Sequence, residues 1–112
     1  MIPIILLLWL SLWRYDGVYE CTAYDPGACC CGIYADGVTA TGRDTSVHPY
    51  GVAVDPSAIP LGSFLLIEGV GILEADDVGG AIKGRKIDIR MKTHKEALVF
   101  GRKNVHVWRR RK

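Results

Sequence analysis

The sequence predicts a mainly β protein, folded as a small barrel with one or two short helices. Three observations favour this class. Short runs of apolar and β-branched residues recur along the chain. Glycine and proline interrupt these runs at close intervals, with 13 Gly and 5 Pro among 112 residues. One later stretch has helical spacing, and the length suits a single domain with one modest core.

Seven segments have the pattern of short strands. They are Tyr19–Tyr24, Val38–Thr41, Val52–Val54, Phe64–Ile67, Gly71–Glu74, Ile87–Met91 and Val105–Trp108. Residues 87–91 alternate apolar and charged side chains, which is typical of a strand with one buried face. Asp55-Pro56 ends the run that precedes it, since proline cannot continue a strand ladder.

The one predicted helix covers Thr93–Phe100. Thr93 can cap its start, because Glu96 follows at the third helical position, and Gly101 suits its end. Three apolar side chains of this helix are expected to face the core: Ala97, Leu98 and Phe100.

The chain begins with an apolar segment that we treat separately from the barrel. Residues 1–13 carry no charge until Arg14, and the run is shorter than the ~20 apolar residues that a membrane-spanning helix needs. Its length matches the centre of a secretion signal, although a basic start and a small-residue cleavage site are missing. We therefore divide the chain into an export signal or anchor at 1–18 and a barrel with a basic tail at 19–112. A short interfacial anchor, associated with a membrane through residues 1–13, and a buried first strand or helix are the alternatives to export.

Four cysteines lie close together in the first third of the chain. They are Cys21, Cys29, Cys30 and Cys31. Disulfides in an exported protein are the favoured interpretation, but four cysteines allow three pairings and the sequence does not choose among them. Zinc is less favoured because three consecutive cysteines match the usual C-x2-C spacing poorly. Free thiols remain the third interpretation.

Charge patterning argues against nucleic-acid binding. The net charge is only +2, and the basic excess is concentrated in the last four residues, 109–112. A basic tail can contact nucleic acid, an anionic membrane or anionic wall polymer, but a frayed, solvated terminus is the favoured interpretation. No basic stripe with interleaved aromatic residues is present elsewhere. His48, His94 and His106 show no metal-ligand spacing, so we expect no metal site among them.

Four ordered motifs carry the functional signal. They are GVTATG at 37–42, VAVDP at 52–56 with IPLG at 59–62, DVGGAIKGRKIDI at 77–89, and EAL with FGR at 96–102. Together they resemble the 3D domain, which is named for three aspartates. The resemblance extends from about Thr22 to Trp108. The 3D domain occurs in small cell-wall enzymes and in the catalytic barrel of the membrane-bound lytic transglycosylase A family.

The resemblance implies a double-psi β-barrel with three aspartates around a groove. It also implies a lytic transglycosylase that cleaves the MurNAc–GlcNAc β-1,4 bond of peptidoglycan and leaves 1,6-anhydro-MurNAc ends without a cofactor. By position, Asp88 corresponds to the catalytic acid and base, and Asp77 and Asp55 to its supporting aspartates. The implied protein is an exported monomer that acts on peptidoglycan glycan strands in the cell wall, the periplasm or the extracellular space.

The chemistry explains why carboxyl groups would cluster. Cleavage of a glycosidic bond needs a carboxylic acid that stays protonated near neutral pH, whereas an ordinary aspartate has a pKa of about 3.9. Burial and neighbouring carboxylates both raise that pKa. Asp76 is not included, because adjacent residues of an extended chain point to opposite faces.

Four further residues are candidates for substrate binding. Thr41 lies in the TATG motif, where a hydroxyl can bond in the groove or simply be satisfied within a strand. Gly79 and Gly80 permit positive φ or a close approach of sugar to backbone. Lys83 can contact substrate carboxylates, pair with an aspartate, or be an exposed turn residue.

Two other functions fit the same pattern. One is a glycan-binding module without turnover, as in expansin-like barrels, although binding alone does not require three aspartates. The other is an inverting hydrolase with Asp88 as acid and Asp55 or Asp77 as base, which needs carboxyl groups about 6.5–9.5 Å apart. Arg90 departs from the family pattern, since an apolar or aromatic residue is expected there.

Overall fold

A computed structural model describes residues 12–25 and 37–110 of the protein. Its elements, in chain order, are β1 (Trp13–Tyr24), β2 (Gly51–Val54), β3 (Phe64–Ile67), β4 (Gly71–Val78), β5 (Lys86–Arg90), α1 (His94–Phe100) and β6 (Lys103–Arg110). Six of the seven predicted strands and the predicted helix correspond to these elements.

The six strands form a closed barrel in the order β1-β5-β2-β4-β3-β6, and β6 pairs with β1 to complete it. Two pairs are parallel, β1 with β5 and β2 with β4, and the other pairs are antiparallel. Both parallel pairs join strands that are not consecutive in the chain, so each pair is linked by a crossover connection. The prediction of a mainly β, double-psi type of barrel is confirmed.

Alternation along the strands separates an apolar interior from a polar outer face. Ile87 and Ile89 of β5 are fully buried in the core, so Asp88 and Arg90 point to the other side of the strand. The core cluster consists of Tyr19, Cys21, Val52, Val54, Ile59, Leu65, Ile67, Ala75, Ile87, Ile89, Val105 and Val107. The polar outer face of β5 and its neighbours is where the aspartates lie.

The predicted strand at residues 38–41 is wrong. Val38 makes only an isolated bridge with Asp44, and the chain between them turns back on itself. The Thr39 hydroxyl accepts a hydrogen bond from the Arg43 backbone N–H at 3.1 Å, and Gly42 has a φ of 88° that L side chains rarely adopt. These local bonds compete with a strand ladder despite the β-branched sequence.

The helix has the predicted caps. The Thr93 hydroxyl accepts from the backbone N–H of Glu96 at 3.1 Å, and Gly101 ends the helix with a φ of 67°. Ala97 is buried and Phe100 packs against the core, but Leu98 is 67% exposed. The expectation for Leu98 is wrong, because a helix of seven residues buries only one narrow face.

The first strand begins close to the apolar segment. Trp13 is buried and pairs with Arg110, so residues 13–18 belong to β1 and run alongside β6. The rest of the proposed signal or anchor, residues 1–11, lies outside the described residues. No helix among the residues that the structure describes is long and apolar enough to cross a membrane.

Of the four cysteines, only Cys21 lies within the described residues, and it is a free, fully buried thiol. Burial raises its pKa to about 12, so it stays protonated and packs as a small apolar group. The predictions for Cys29, Cys30 and Cys31 fall outside the described residues.

Candidate active site

Strand register places two of the three aspartates in one row. Ala53 of β2 pairs with Asp77 of β4 on one side and with Asp88 of β5 on the other. Thr22 of β1 pairs with Asp88 and extends the row to a fourth strand. Paired residues of neighbouring strands share a face, and two strand spacings separate the Cα atoms of Asp77 and Asp88 by about 10 Å.

Asp88 lies in the more accessible environment of the two. It is half-buried between two fully buried isoleucines of β5, and its Oδ1 accepts a 2.9 Å hydrogen bond from the Thr22 hydroxyl. Burial raises the pKa of this carboxyl above its ordinary value, and the bond from Thr22 opposes the rise. Oδ2 has no hydrogen-bond partner among the described residues. Asp88 therefore combines an elevated pKa with one oxygen that no described residue contacts by a hydrogen bond.

Asp77 is held on all sides by the protein. Its Oδ1 accepts from the backbone N–H groups of Ala40 at 3.0 Å and Val78 at 2.9 Å, and its Oδ2 faces the Tyr24 hydroxyl at 3.5 Å. The side chain is nearly inaccessible, at 5% exposed. Because both oxygens already accept hydrogen bonds, Asp77 is suited to a fixed orientation.

Tyr24 is the last residue of β1, and its hydroxyl faces Asp77 of the row. Burial raises the pKa of its phenol well above the ordinary value, the nearby Arg90 opposes the rise, and the carboxylates of Asp77 and Asp88 add to it. The hydroxyl therefore stays protonated and acts as a hydrogen-bond donor.

Asp55 lies one residue after β2 and has a different environment. Its Oδ2 accepts from the backbone N–H of Gly84 at 2.9 Å, and its Oδ1 accepts from the backbone and the hydroxyl of Ser57 at 3.0 and 2.8 Å. The bond from Gly84, followed by those from Ser57, lowers the pKa of Asp55 to about 2. Asp55 thus ties the end of β2 to the turn that leads into β5 and Asp88.

The four candidate substrate residues lie in the loops around this row. Thr41 is exposed, its N–H donates to the Asp76 carbonyl at 3.1 Å, and its hydroxyl lies 3.2 Å from that of Thr39. A side chain placed at Gly80 would meet no atom within 4 Å, so this position is open. Lys83 is exposed, and its charge favours the ionised form of Asp55.

Of the two reasons offered for glycine at positions 79 and 80, positive φ does not apply. In the loop between β4 and β5, the left-handed residue is Gly84, with a φ of 64°, and neither Gly79 nor Gly80 has positive φ. The Gly79 carbonyl instead accepts from the N–H of Ile82 at 3.0 Å and closes an ordinary turn. Close approach of a ligand to the backbone remains the reason to expect glycine there.

Sequence reasoning missed a buried ion pair beside the row. The two carboxylate oxygens of Asp76 accept bonds of 2.9 and 2.7 Å from Arg90, and both side chains are fully buried. The alternation argument for leaving out Asp76 does not hold, because β4 has a bulge: Val52 pairs with Ala75, but the next residue, Ala53, pairs with Asp77. The arginine at position 90, where an apolar or aromatic residue is expected, was the sequence feature that could have indicated this ion pair.

Other surfaces do not coincide with the row. A groove of ≈ 760 Å³ is lined by Arg14, Asp16, Pro60, Gly62, Ser63, Phe64, Arg109 and Arg110 and includes none of the three aspartates. Within residues 12–25 and 37–110, no group of three or more His, Cys, Asp or Glu side chains is arranged to hold a metal ion.

Comparison with known families agrees with the fold and the motifs. The family described as the 3D domain matches residues 50–110, which is more than half of the chain and includes all three aspartates. The chain therefore belongs to the 3D domain family, as the sequence motifs predicted.

Three similar proteins come from Bacillus subtilis (strain 168). The cell wall-binding protein YocH is 49% identical over 73 residues, which is 63% of this chain and 25% of YocH. The putative cell wall shaping protein YabE is 43% identical over 88 residues, 77% of this chain and 21% of YabE. The SPbeta prophage-derived uncharacterized protein YorM is 42% identical over 85 residues, 69% of this chain and 36% of YorM. The chain thus spans a minor part of each relative.

Proposed function

We propose that this protein is a peptidoglycan lytic transglycosylase in which Asp88 is both acid and base. The observation that carries the proposal is the environment of Asp88. Its half-buried carboxyl has a raised pKa and one oxygen without a partner among the described residues, next to a second carboxylate that the protein holds in place. This is the pairing of environments that general acid catalysis on a sugar requires.

The proposed reaction has two proton transfers through one residue. Protonated Asp88 gives its proton to the oxygen of the MurNAc–GlcNAc bond as that oxygen takes the electron pair of its bond to C1. The Asp88 carboxylate then accepts the proton of the C6 hydroxyl of the same MurNAc while O6 forms a bond to C1. The products are a 1,6-anhydro-MurNAc end and a free GlcNAc hydroxyl, and the acid form of Asp88 is restored without water.

Asp77 and Asp55 have different supporting roles in this proposal. Asp77 places a carboxyl group beside the sugar as positive charge develops at C1, and its three protein donors hold it still. Asp55 fixes the turn at Gly84, four residues before Asp88. Thr41 and Lys83 are exposed and Gly80 is open, which suits contacts to the glycan.

The relatives support the choice of substrate. Two of them carry the cell wall in their names, one as a binding and one as a shaping protein. We therefore propose that this protein is exported, acts as a monomer, and meets peptidoglycan strands in the wall, the periplasm or the extracellular space. We propose membrane association through residues 1–13 as the alternative to a cleaved signal.

A binding module without turnover is the second candidate, and the name of YocH favours it. An inverting hydrolase is the third, because a spacing of about 10 Å between the Cα atoms of Asp77 and Asp88 leaves room for a water molecule between carboxyl groups.

Digestion of purified sacculi separates the three candidates. The protein, Asp88→Asn and the distant control Glu68→Gln are incubated with sacculi, and released fragments are read by mass spectrometry. We expect muropeptides lighter by one water at the muramic end from the wild type and from Glu68→Gln, and none from Asp88→Asn. Full-mass reducing ends would indicate hydrolysis. Sedimentation with sacculi without release would indicate a binding module.

A further inference from the structure

The buried ion pair of Arg90 and Asp76 lies outside the apolar core, directly beside the aspartate row. Neither side chain is exposed, and two hydrogen bonds join them. Burying two charges has a desolvation cost that their attraction often fails to exceed, so a well-packed apolar pair is frequently as stable or more stable. The pair therefore calls for a role besides stability.

The contacts of the pair show what it holds. The Arg90 guanidinium donates to the carbonyls of His48, at 3.2 and 3.0 Å, and of Tyr50, at 3.2 Å. Asp76 bonds the same segment nearer its start, because its carbonyl accepts from the Thr41 N–H and its carboxylate lies 3.3 Å from Arg43. We call residues 37–50 the site loop. The ion pair joins both halves of this loop to β4 and β5.

The site loop in turn holds Asp77. Its Ala40 N–H donates to Asp77 Oδ1 at 3.0 Å. Arg90 also interacts with the hydroxyl of Tyr24, which faces the other oxygen of Asp77. Two separate paths thus lead from Arg90 to the Asp77 carboxylate, one through the loop backbone and one through the phenol.

The ion pair leaves no room for a side chain at position 51. A Cβ atom added to Gly51, which pairs with Arg90 across β2 and β5, would collide with the guanidinium and would lie 2.7 Å from Asp76 Oδ2. Glycine at this position leaves the room that the ion pair occupies.

We propose that Arg90 and Asp76 are positioning residues, which set the orientation of Asp77 towards Asp88 by fixing the site loop and Tyr24. This inference rests on the proposed transglycosylase function and adds two residues to it. Neither residue touches the substrate, so its loss acts through Asp77.

The test replaces the charges without opening a cavity. Arg90→Met/Asp76→Leu is compared with Arg102→Met/Glu20→Leu, which removes an exposed ion pair of 3.3 Å elsewhere on the barrel. Melting temperature, kcat and KM on soluble glycan strands, and the NMR signals of the Ala40 amide and the Asp77 carboxyl are measured. We expect a folded double variant with kcat reduced at least ~10-fold, KM nearly unchanged, and both signals shifted. The control is expected to match the wild type.

Two results would overturn the inference. One is a folded double variant with wild-type kcat, and the other is unchanged Ala40 and Asp77 signals. The NMR result decides the matter even if the wild type cleaves no glycan, so failure of the proposed function is distinguishable. Asp76→Asn keeps an oxygen for Arg90 and is measured in the same way if the double variant does not fold.

Discussion

Asp77 and Asp88 lie two strands apart on the same face of the barrel, in register through Ala53, which pairs with both. Their environments differ although their chemistry is the same. Three protein donors bind Asp77, whereas Asp88 accepts one bond from Thr22 and has a raised pKa. Two carboxyl groups with different surroundings can divide the roles of fixed charge and proton carrier.

Asp88→Asn is expected to abolish activity without loss of stability. Burial raises the folded pKa of Asp88 above its unfolded value, so the ionised form is disfavoured by folding, and wild-type stability falls as pH rises through that range. Asparagine avoids this penalty and still accepts the bond from Thr22. We expect at least a ~100-fold loss of fragment release, and a melting temperature at pH 7 equal to or above that of the wild type. A clear drop in melting temperature would contradict this assignment.

Tyr24→Phe is expected to reduce turnover and leave the fold intact. The substitution removes the donor that faces Asp77 Oδ2 at 3.5 Å, while the two backbone donors remain. Because the lost bond is long, we expect a several-fold decrease in kcat and a change in unfolding free energy of about 1 kcal/mol or less. Tyr50→Phe is the control, since Glu96 is the one residue in the described part of the chain that the exposed Tyr50 hydroxyl bonds.

Asp55→Asn is expected to change how stability depends on acid. The folded pKa of about 2 lies below the ordinary value of 3.8, so the ionised group stabilises the fold above pH ~4, and this contribution is lost as pH falls towards 2. Thermal unfolding of the variant from pH 5 to pH 2 should therefore show a shallower decline than that of the wild type. Activity should fall as well, since Gly84 loses a charged acceptor before β5. Parallel stability curves for the two proteins would show that Asp55 is not ionised as described.

Thr93→Ala tests the helix cap. The Thr93 hydroxyl accepts from Glu96 N–H at 3.1 Å, and removal of such a cap lowers stability by about 1 kcal/mol. Thr93→Ser should recover the stability that Thr93→Ala loses. Fragment release should be unchanged at a temperature well below the melting point, because α1 contributes no residue to the aspartate row. A loss of release without a loss of stability would place the helix in the site.

Local patterns predicted the elements well where one face of a strand is apolar. Alternation at residues 87–91 located β5 to within one residue at each end, and with it the outward direction of Asp88. The prediction failed at residues 38–41, because the hydroxyl of Thr39 and the glycine at 42 favour a turn over a ladder. The closed, crossed order of the strands followed from the family resemblance and not from periodicity.

The position of Asp76 shows the limit of arguments from one strand. Alternation placed Asp76 opposite Asp77, but the bulge at Val52 and Ala53 is a property of the β2–β4 pairing. The alternation of residues along one strand does not show how that strand pairs with its neighbour. The pair with Arg90 could have been suspected only from two adjacent acidic residues and one arginine in otherwise apolar strands.

The central claim, that Asp88 cleaves the glycan without water, is tested most directly by digestion of sacculi in H₂¹⁸O. Lytic transglycosylation predicts muropeptides with 1,6-anhydro ends and no ¹⁸O from the solvent, with release abolished in Asp88→Asn. Incorporation of one ¹⁸O atom at a reducing muramic end would contradict the account and would make Asp88 the acid of a hydrolase.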